Sequence, residues 1–421
     1  MPDLSAADHS CSPPGLTFPR LYNAAHDLLQ RNLQAGRADK PAFIDDQGAM
    51  TYRQLDAASA AFANVLCALG VQPEQRVFLC LHDTLDFPVC FLGAIKAGVV
   101  PVPVNTLLTQ SDYAYMLNDS RAPVAVVSAA LRHMFEAIRP QTIDLKQLLI
   151  AGAEAGSPES LAGRLAAART DFTVADTTCD ETCFWLYSSG STGAPKGTVH
   201  VQSSLVQTAE LYARPVIGIE THDVCFSAAK LFFAYGLGNS LSFPMAAGAT
   251  TILMAERATP AAVFQRLVRH QPTVFGGVPT LYASMLASAD LPERALVRLR
   301  RCISAGEPLP ADLGRRWQRH FGVDIIDGIG STEMLHIFLS NRPGEVEYGT
   351  TGKPVPGYAV RLVDDDGNAV PPGEQGELQV SGPTSATQYW NNRQKSRHTF
   401  MGHWTRSGDK FVQRADGYYV Y

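Results

Sequence analysis

Residues 182–197 read TCFWLYSSGSTGAPKG, and the rest of the chain is interpreted from this run. Its first half (Phe184, Trp185, Leu186, Tyr187) is apolar and aromatic, the composition of a buried strand. Its second half, Ser188, Ser189, Gly190, Ser191, Thr192, Gly193, Ala194, Pro195, Lys196 and Gly197, offers four hydroxyls, three glycines and one cation. Glycine lets backbone N–H groups approach an anion, hydroxyls donate further hydrogen bonds, and lysine adds a point charge. Together they predict a phosphate cradle. The spacing is not that of the G-x-x-x-x-G-K-[ST] loop, because no Gly-Lys-Ser/Thr follows. Ser/Gly runs also serve as plain linkers. A linker, however, has no reason to follow a buried aromatic strand or to contain Pro-Lys-Gly.

Size and composition set the frame. A chain of 421 residues allows two or three packing units. Hydrophobic residues at 46% and charged ones at 18% are a globular balance. A net charge of −5 argues against a nucleic-acid surface, which would be basic. No apolar run approaches the ~20 residues that span a bilayer, and the first residues, MPDLSAADHSCSPPG, lack the basic and apolar regions of a secretory signal. The eight cysteines, at 11, 67, 80, 90, 179, 183, 225 and 302, form no CxxC pair and no zinc-like spacing. A reduced, cytoplasmic protein with small-molecule partners, and with neither nucleic acid nor membrane, follows as the expectation.

Along the chain, residues 1–20 lack periodicity and are expected to be flexible. A helical pattern covers 22–34, and short strands at 42–44 and 50–52 flank a turn. Thr51 with Gln54 makes a capping box for a helix that Gly70 closes. Strands at 77–81, 99–104, 124–128 and 148–151 alternate with helices, and 152–180 reads as helix and connector. Beyond the cradle, strands at 224–227, 250–254, 273–275, 302–305 and 324–327 alternate with helices at 260–270, 279–287 and 310–320, each with proline near its first turn. Such alternation means α/β architecture with mostly parallel, doubly wound sheets. From Glu345 the texture changes to strands at 358–363, 376–382 and 410–413, separated by DDGN and PPG turns, which predicts antiparallel structure. The expected divisions are a first α/β subdomain over 21–180, a second over 181–340 carrying the sites, and a smaller β-rich subdomain over 341–421.

Three further stretches carry chemistry. Asp327-Gly-Ile-Gly-Ser-Thr-Glu333-Met-Leu-His336 follows an apolar strand, which places Gly328, Gly330, Ser331, Thr332 and Glu333 at the strand's carboxyl end, where open α/β sheets bind ligands. Thr332 could bond a phosphate oxygen while Glu333 holds Mg²⁺, a hard cation that prefers oxygen. Alone, Ser-Thr-Glu reads more readily as a helix start with an acidic first turn. Ser304-Ala-Gly306-Glu307-Pro308, also after a strand, could leave room for a flat adenine ring or be an ordinary strand-to-helix turn. In Trp404-Thr-Arg-Ser-Gly-Asp409-Lys410, the Asp either closes a turn or accepts both ribose hydroxyls.

In this order YSSGSTGAPKG, GIGSTE, GELQVSG and WTRSGDK resemble the linear motifs of the adenylate-forming superfamily, which holds acyl-CoA synthetases, amino-acid adenylation domains and luciferases. The resemblance runs from about residue 20 to the end. It implies the large N-terminal domain of that superfamily, with the last subdomain barrel-like, and ATP-dependent activation of a carboxylate. In that frame Ser188, Ser189, Ser191, Thr192 and Lys196 hold the triphosphate, and Gly190 and Gly193 permit its approach. Gly306, Glu307 and Pro308 line adenine and Asp327 and Gly328 border it. Thr332 meets the α-phosphate, Glu333 meets Mg²⁺, and Asp409 grips ribose. Lys196, Thr332 and Glu333 are the candidate catalytic groups; ATP, Mg²⁺ and coenzyme A are the implied cofactors and co-substrates, and a homodimer is admitted.

The superfamily's acyl pocket draws on the stretch after Val224 and the segment after Glu333. Here the former, FSAAKLFFAYGLGNSLSF, contains no Asp or Glu to pair with a substrate ammonium, and an unpaired buried charge costs several kcal/mol on the order usual for such groups. Amino acids are therefore not the expected substrates. Ala234, Tyr235 and Gly236 with Gly330, His336 and Ile337 imply a compact aromatic slot for a flat ring, and the wording looks most like benzoate–CoA ligases, including those for hydroxylated or aminated benzoates. Tyr235 and His336 are otherwise core residues; Lys230 reads as a snorkelling surface side chain rather than a carboxylate guide, and His200 is open between the two roles. The resemblance also implies a further domain of roughly a hundred residues, in the ordinary size range, after Tyr421. Without it, the expectation is binding of acid and nucleotide with slow adenylation.

Overall fold

The computed structural model describes residues 3–154, 156–190 and 193–421; Ser191 and Thr192 of the predicted cradle lie outside the described residues. The chain divides into two compact units, one built mainly from residues 17–203 together with 231–233, the other mainly from 204–230 and 234–421.

In the first unit the alternating pattern becomes a parallel sheet ordered Val100–Pro103, Arg76–Cys80, Val124–Ser128, Gln147–Ala151. These strands are almost wholly buried, as continuous apolar runs must be when helices cover both faces. The helix Tyr52–Ala68 starts at the predicted capping box: Thr51 Oγ1 accepts from Gln54 N at 3.2 Å and Gln54 Oε1 accepts from Thr51 N at 2.8 Å. The decisive sequence run does not join this parallel ladder. Thr182–Gly190 pairs antiparallel with Gly193–Val201, so Ser188 through Gly190 of the predicted cradle belong to one strand of a hairpin and Gly193 through Gly197 to the other.

In the second unit Thr250–Ile252, Val224–Ser227, Val274–Gly277, Arg301–Ser304 and Ile325–Gly330 form a parallel ladder in that order, and Ile337–Ser340 and Lys353–Pro354 extend it antiparallel. Helices Pro260–His270, Pro279–Leu286 and Ala311–Phe321 connect the parallel strands. The last buries Leu313, Trp317 and Phe321, a stripe at four-residue spacing. Two helical stretches were not foreseen. Ser204–Thr208 widens into a π-helix over Ala209–Ile217, and Ala234–Leu237 into a π-turn over Gly238–Ser242 before Phe243–Ala247 resumes α geometry. π-Turns have no local sequence signature and recur at functional sites.

The last part of the chain is antiparallel, as the turn signals required. Ala359–Val363, Gln375–Ser381, Trp404–Gln413 and Phe400–Met401 pair in order, with Tyr419–Val420 on Trp404–Gln413. Asp364 fastens its turn through Oδ1, which accepts from Asp366 N at 3.0 Å and Asn368 N at 2.8 Å. The Trp404–Gln413 strand begins six residues earlier than the 410–413 expected, so the WTRSGDK run is strand rather than turn, with a register shift opposite it. Among the described residues no helix is long and apolar enough to cross a membrane.

Candidate active site

The hairpin holds its polar residues on an aromatic base. Phe184 is buried and stacks on His200 at 5.2 Å between ring centroids, and Phe91 meets its edge at 5.6 Å. His200, open in the sequence, is therefore a core ring. Tyr187 anchors the strand outward: its hydroxyl donates to Asp119 Oδ2 at 2.8 Å and burial pushes the phenol well above its usual range. Lys196 stands opposite Ser188 in the ladder, half-buried, and Tyr115 holds the return strand by donating to Pro195 O at 3.2 Å. Among the described residues nothing lies within 4 Å of where an added Cβ at Gly193 would stand. Hydroxyl and cation thus share one hairpin end, a requirement for binding phosphate.

In the second unit the strands' carboxyl ends collect polar groups that the core does not satisfy. Asp327 lies beside Ser304 across adjacent strands and is 6% exposed. Its Oδ1 and the Ser304 hydroxyl have no hydrogen-bond partner among the described residues. Burial raises the Asp327 pKa to about 7. Residues 306–308 follow the Arg301–Ser304 strand and are exposed, with Glu307 accepting from Thr280 Oγ1 at 3.3 Å.

Tyr235 spans two strand ends: its hydroxyl lies 3.2 Å from Gly277 O and 3.0 Å from Ile303 O. Its own carbonyl receives a hydrogen bond from His336 Nε2 at 3.2 Å. A carbonyl only accepts, so Nε2 carries the proton and Nδ1 presents a lone pair. His336 is buried against Tyr212, Tyr235 and Phe243, which lowers its pKa to about 3 and keeps it neutral. Gly238 makes this placement fit, since a Cβ there would lie 2.4 Å from His336 Cδ2. Gly236 is equally constrained, by the Lys230 carbonyl at 2.0 Å from such a Cβ. Ala234 and Ile337 are buried. Lys230 does not snorkel: its ammonium donates to the carbonyls of Met254 and, at 2.7 Å, Glu256. Asn239, missed in the sequence, is buried with neither end of its amide partnered among the described residues.

The GSTE run is no helix start. Gly328 and Gly330 are strand residues, and residues 331–336 turn directly into Ile337–Ser340. The reversal is tight because a Cβ at Gly330 would lie 2.5 Å from His336 O. Ser331 Oγ accepts from Met334 N at 3.1 Å and Thr332 O from Leu335 N at 3.2 Å, with Leu335 at φ 67°. Thr332 and Glu333 are left half-buried at the turn. Glu333 Oε1 accepts from the Tyr389 hydroxyl at 2.8 Å, and its backbone carbonyl accepts from Ala386 N at 2.7 Å. Asp409 is half-buried too; burial raises its pKa, and the nearby Glu333 carboxylate pushes the same way. Two neighbouring half-buried carboxylates are suited to a cation and hydroxyl donors. Tyr389 lies 56 residues from Glu333 in sequence, and no local pattern could have nominated it.

Comparison with known proteins adds an independent line. Residues 29–390 match the family model of AMP-binding enzymes. The chain is 61% identical over 420 residues to the benzoate–CoA ligase of Thauera aromatica, covering 99% of this chain and 79% of that one. It is 50% identical over 403 residues to a 4-hydroxybenzoate–CoA/benzoate–CoA ligase of Rhodopseudomonas palustris, covering 96% and 75%. Among solved structures, a benzoate CoA ligase from Burkholderia xenovorans superposes with TM-score 0.91 at 54% identity, over 95% of this chain and 80% of that one.

Proposed function

The chain belongs to the AMP-binding enzyme family, and from that premise we propose that it is an ATP-dependent aryl-acid–CoA ligase acting on benzoate or a ring-substituted benzoate. Near end-to-end likeness to benzoate–CoA ligases carries the reading. The acid's carboxylate oxygen attacks the α-phosphorus of ATP, the bond to the β-phosphate oxygen breaks, and pyrophosphate leaves. The thiol sulfur of coenzyme A then attacks the acyl carbon of the mixed anhydride, AMP departs, and the thiol proton passes to solvent.

A carboxylate approaches a polyanion against charge, so the protein's task is electrostatic. In this reading Ser188, Ser189, Ser191, Thr192 and Lys196 neutralise and position the triphosphate, and Thr332 bonds the α-phosphate. Glu333 would hold Mg²⁺, which when bound supplies positive charge to the phosphates. A single oriented carboxylate fits that ion, which completes its shell with phosphate oxygens and water; among the described residues no group of three or more His, Cys, Asp or Glu competes for the role. Asp409 takes the ribose hydroxyls, and Asp327, Gly328 and residues 306–308 take adenine. Ala234, Tyr235, Gly236, Gly330, His336 and Ile337 form the aryl slot, where the neutral His336 adds no charge to repel or trap the ring. A cytoplasmic setting is part of the proposal, supported by eight cysteines that are all free.

Acid-dependent exchange of labelled pyrophosphate into ATP tests it. Benzoate and hydroxybenzoates should support exchange and a fatty acid should not; Lys196→Ala should weaken ATP binding at least tenfold by calorimetry. Exchange driven by the fatty acid but by no aryl acid would refute the substrate assignment.

A further inference from the structure

One cavity contains none of the residues assigned to ATP or the acid, and touches that site only through Tyr389, whose hydroxyl donates to Glu333. It measures about 460 Å³ and is walled by Tyr389, Trp390, Ser396, Phe400 and the guanidinium-bearing Arg393 and Arg397. Its volume is that of a small-ligand site. The frame is fixed rather than floppy. Ser396 Oγ accepts from Tyr389 N at 3.0 Å and donates to Asn392 O at 2.7 Å, which ties the helix Arg393–Thr399 to the strand Gln388–Tyr389. Asn391 between them takes a left-handed φ of 50°, a conformation asparagine tolerates better than most residues. Tyr389 and Phe400 rings pack at 5.2 Å.

The charge of this wall is unusual for an acidic chain. Between Glu377 and Asp409 the sequence has no Asp or Glu, yet it carries Arg393, Lys395, Arg397 and Arg406. Arg406 is consumed by Glu377, whose carboxylate accepts from its Nε at 2.8 Å. Arg393 and Arg397, four apart on one helix, are exposed and form no ion pair with the described residues. Paired guanidinium groups take phosphate oxygens in a fork, and aromatic walls take a flat ring face-on.

We propose that this cavity is a second anion site, taking a nucleoside phosphate whose phosphates sit on Arg393 and Arg397 and whose base lies against Trp390 and Phe400. The proposal stands apart from the ligase reading, because its test measures binding and needs no turnover. The probe is adenosine 3′,5′-bisphosphate, titrated calorimetrically into the protein with ATP held at saturation. One equivalent should bind, at least tenfold more weakly to Arg393→Ala/Arg397→Ala, more weakly in higher salt, and unchanged in Lys196→Ala. Arg393→Gln/Arg397→Gln serves if the alanine pair fails to fold, and both arginines are exposed enough to be replaced. Adenosine and inorganic tripolyphosphate, titrated separately, should each bind at least tenfold more weakly than the bisphosphate. No binding at millimolar probe, affinity untouched by the double variant, or tripolyphosphate binding as tightly as the bisphosphate would overturn the assignment.

Discussion

Asp327 is a carboxyl group walled in by the sheet, and burial lifts its pKa from the ordinary 3.8 to about 7. Between those values the folded protein holds a proton that the unfolded chain has lost. Stability is therefore fullest below about 4, falls as pH rises through about 7, and is flat above. Asp327→Asn removes the titration. Urea midpoints of wild type relative to the variant should decline between pH 5 and 7.5; parallel curves would contradict the buried-carboxyl account. His336 carries the opposite lesson, since burial holds it neutral at any working pH and leaves steric fit as its sensitivity. In Gly238→Ala the new methyl meets the imidazole at 2.4 Å, an overpacking worth about 1–3 kcal/mol. Benzoate affinity should drop while ATP affinity holds, a split that calorimetry reads directly. The sequence exposed His336 as a residue beside a motif; its protonation and its glycine partner depended on neighbours nearly a hundred positions away.

At the level of elements, legibility followed the range of the forces. The capping box at Thr51 and Gln54 was readable because both hydrogen bonds close within four residues. Thr51→Ala should cost about 1 kcal/mol, measured as a shift of the urea midpoint with unchanged slope. Helix Pro260–His270 was likewise set by a local cap, Thr259, and proline at its first turn. The cradle differs in form from the loop its composition suggested. Ser188, Gly190 and Lys196 were picked out by composition, yet their place in an antiparallel hairpin depends on which strand the chain meets next. The turn after Gly330 was open to a helix on propensity alone, and antiparallel pairing with Ile337–Ser340 overrode it. π-Geometry at Ala209–Ile217 and Gly238–Ser242 had no sequence signal to find.

At the scale of the whole molecule, the proposed aryl slot would discriminate among acids by charge that is missing. Residues 226–243 contain no carboxylate, and the neighbouring His336 is neutral, so a substrate ammonium would be buried without a partner. Phenylalanine should give no detectable heat under conditions where benzoate binds; comparable affinities would show that an acid elsewhere serves the pocket. The sequence by itself determined the alternation of helices and strands and the acid-free stretch, and it nominated the residues proposed to hold phosphate, because periodicity, capping and composition act over a few positions. Only the tertiary structure decided that Tyr389 holds Glu333, that Asp409 feels the same carboxylate, and that Asp327 is buried enough to keep its proton near neutrality. Those properties arise from desolvation and Coulomb interaction between groups that the fold, not the chain order, makes neighbours.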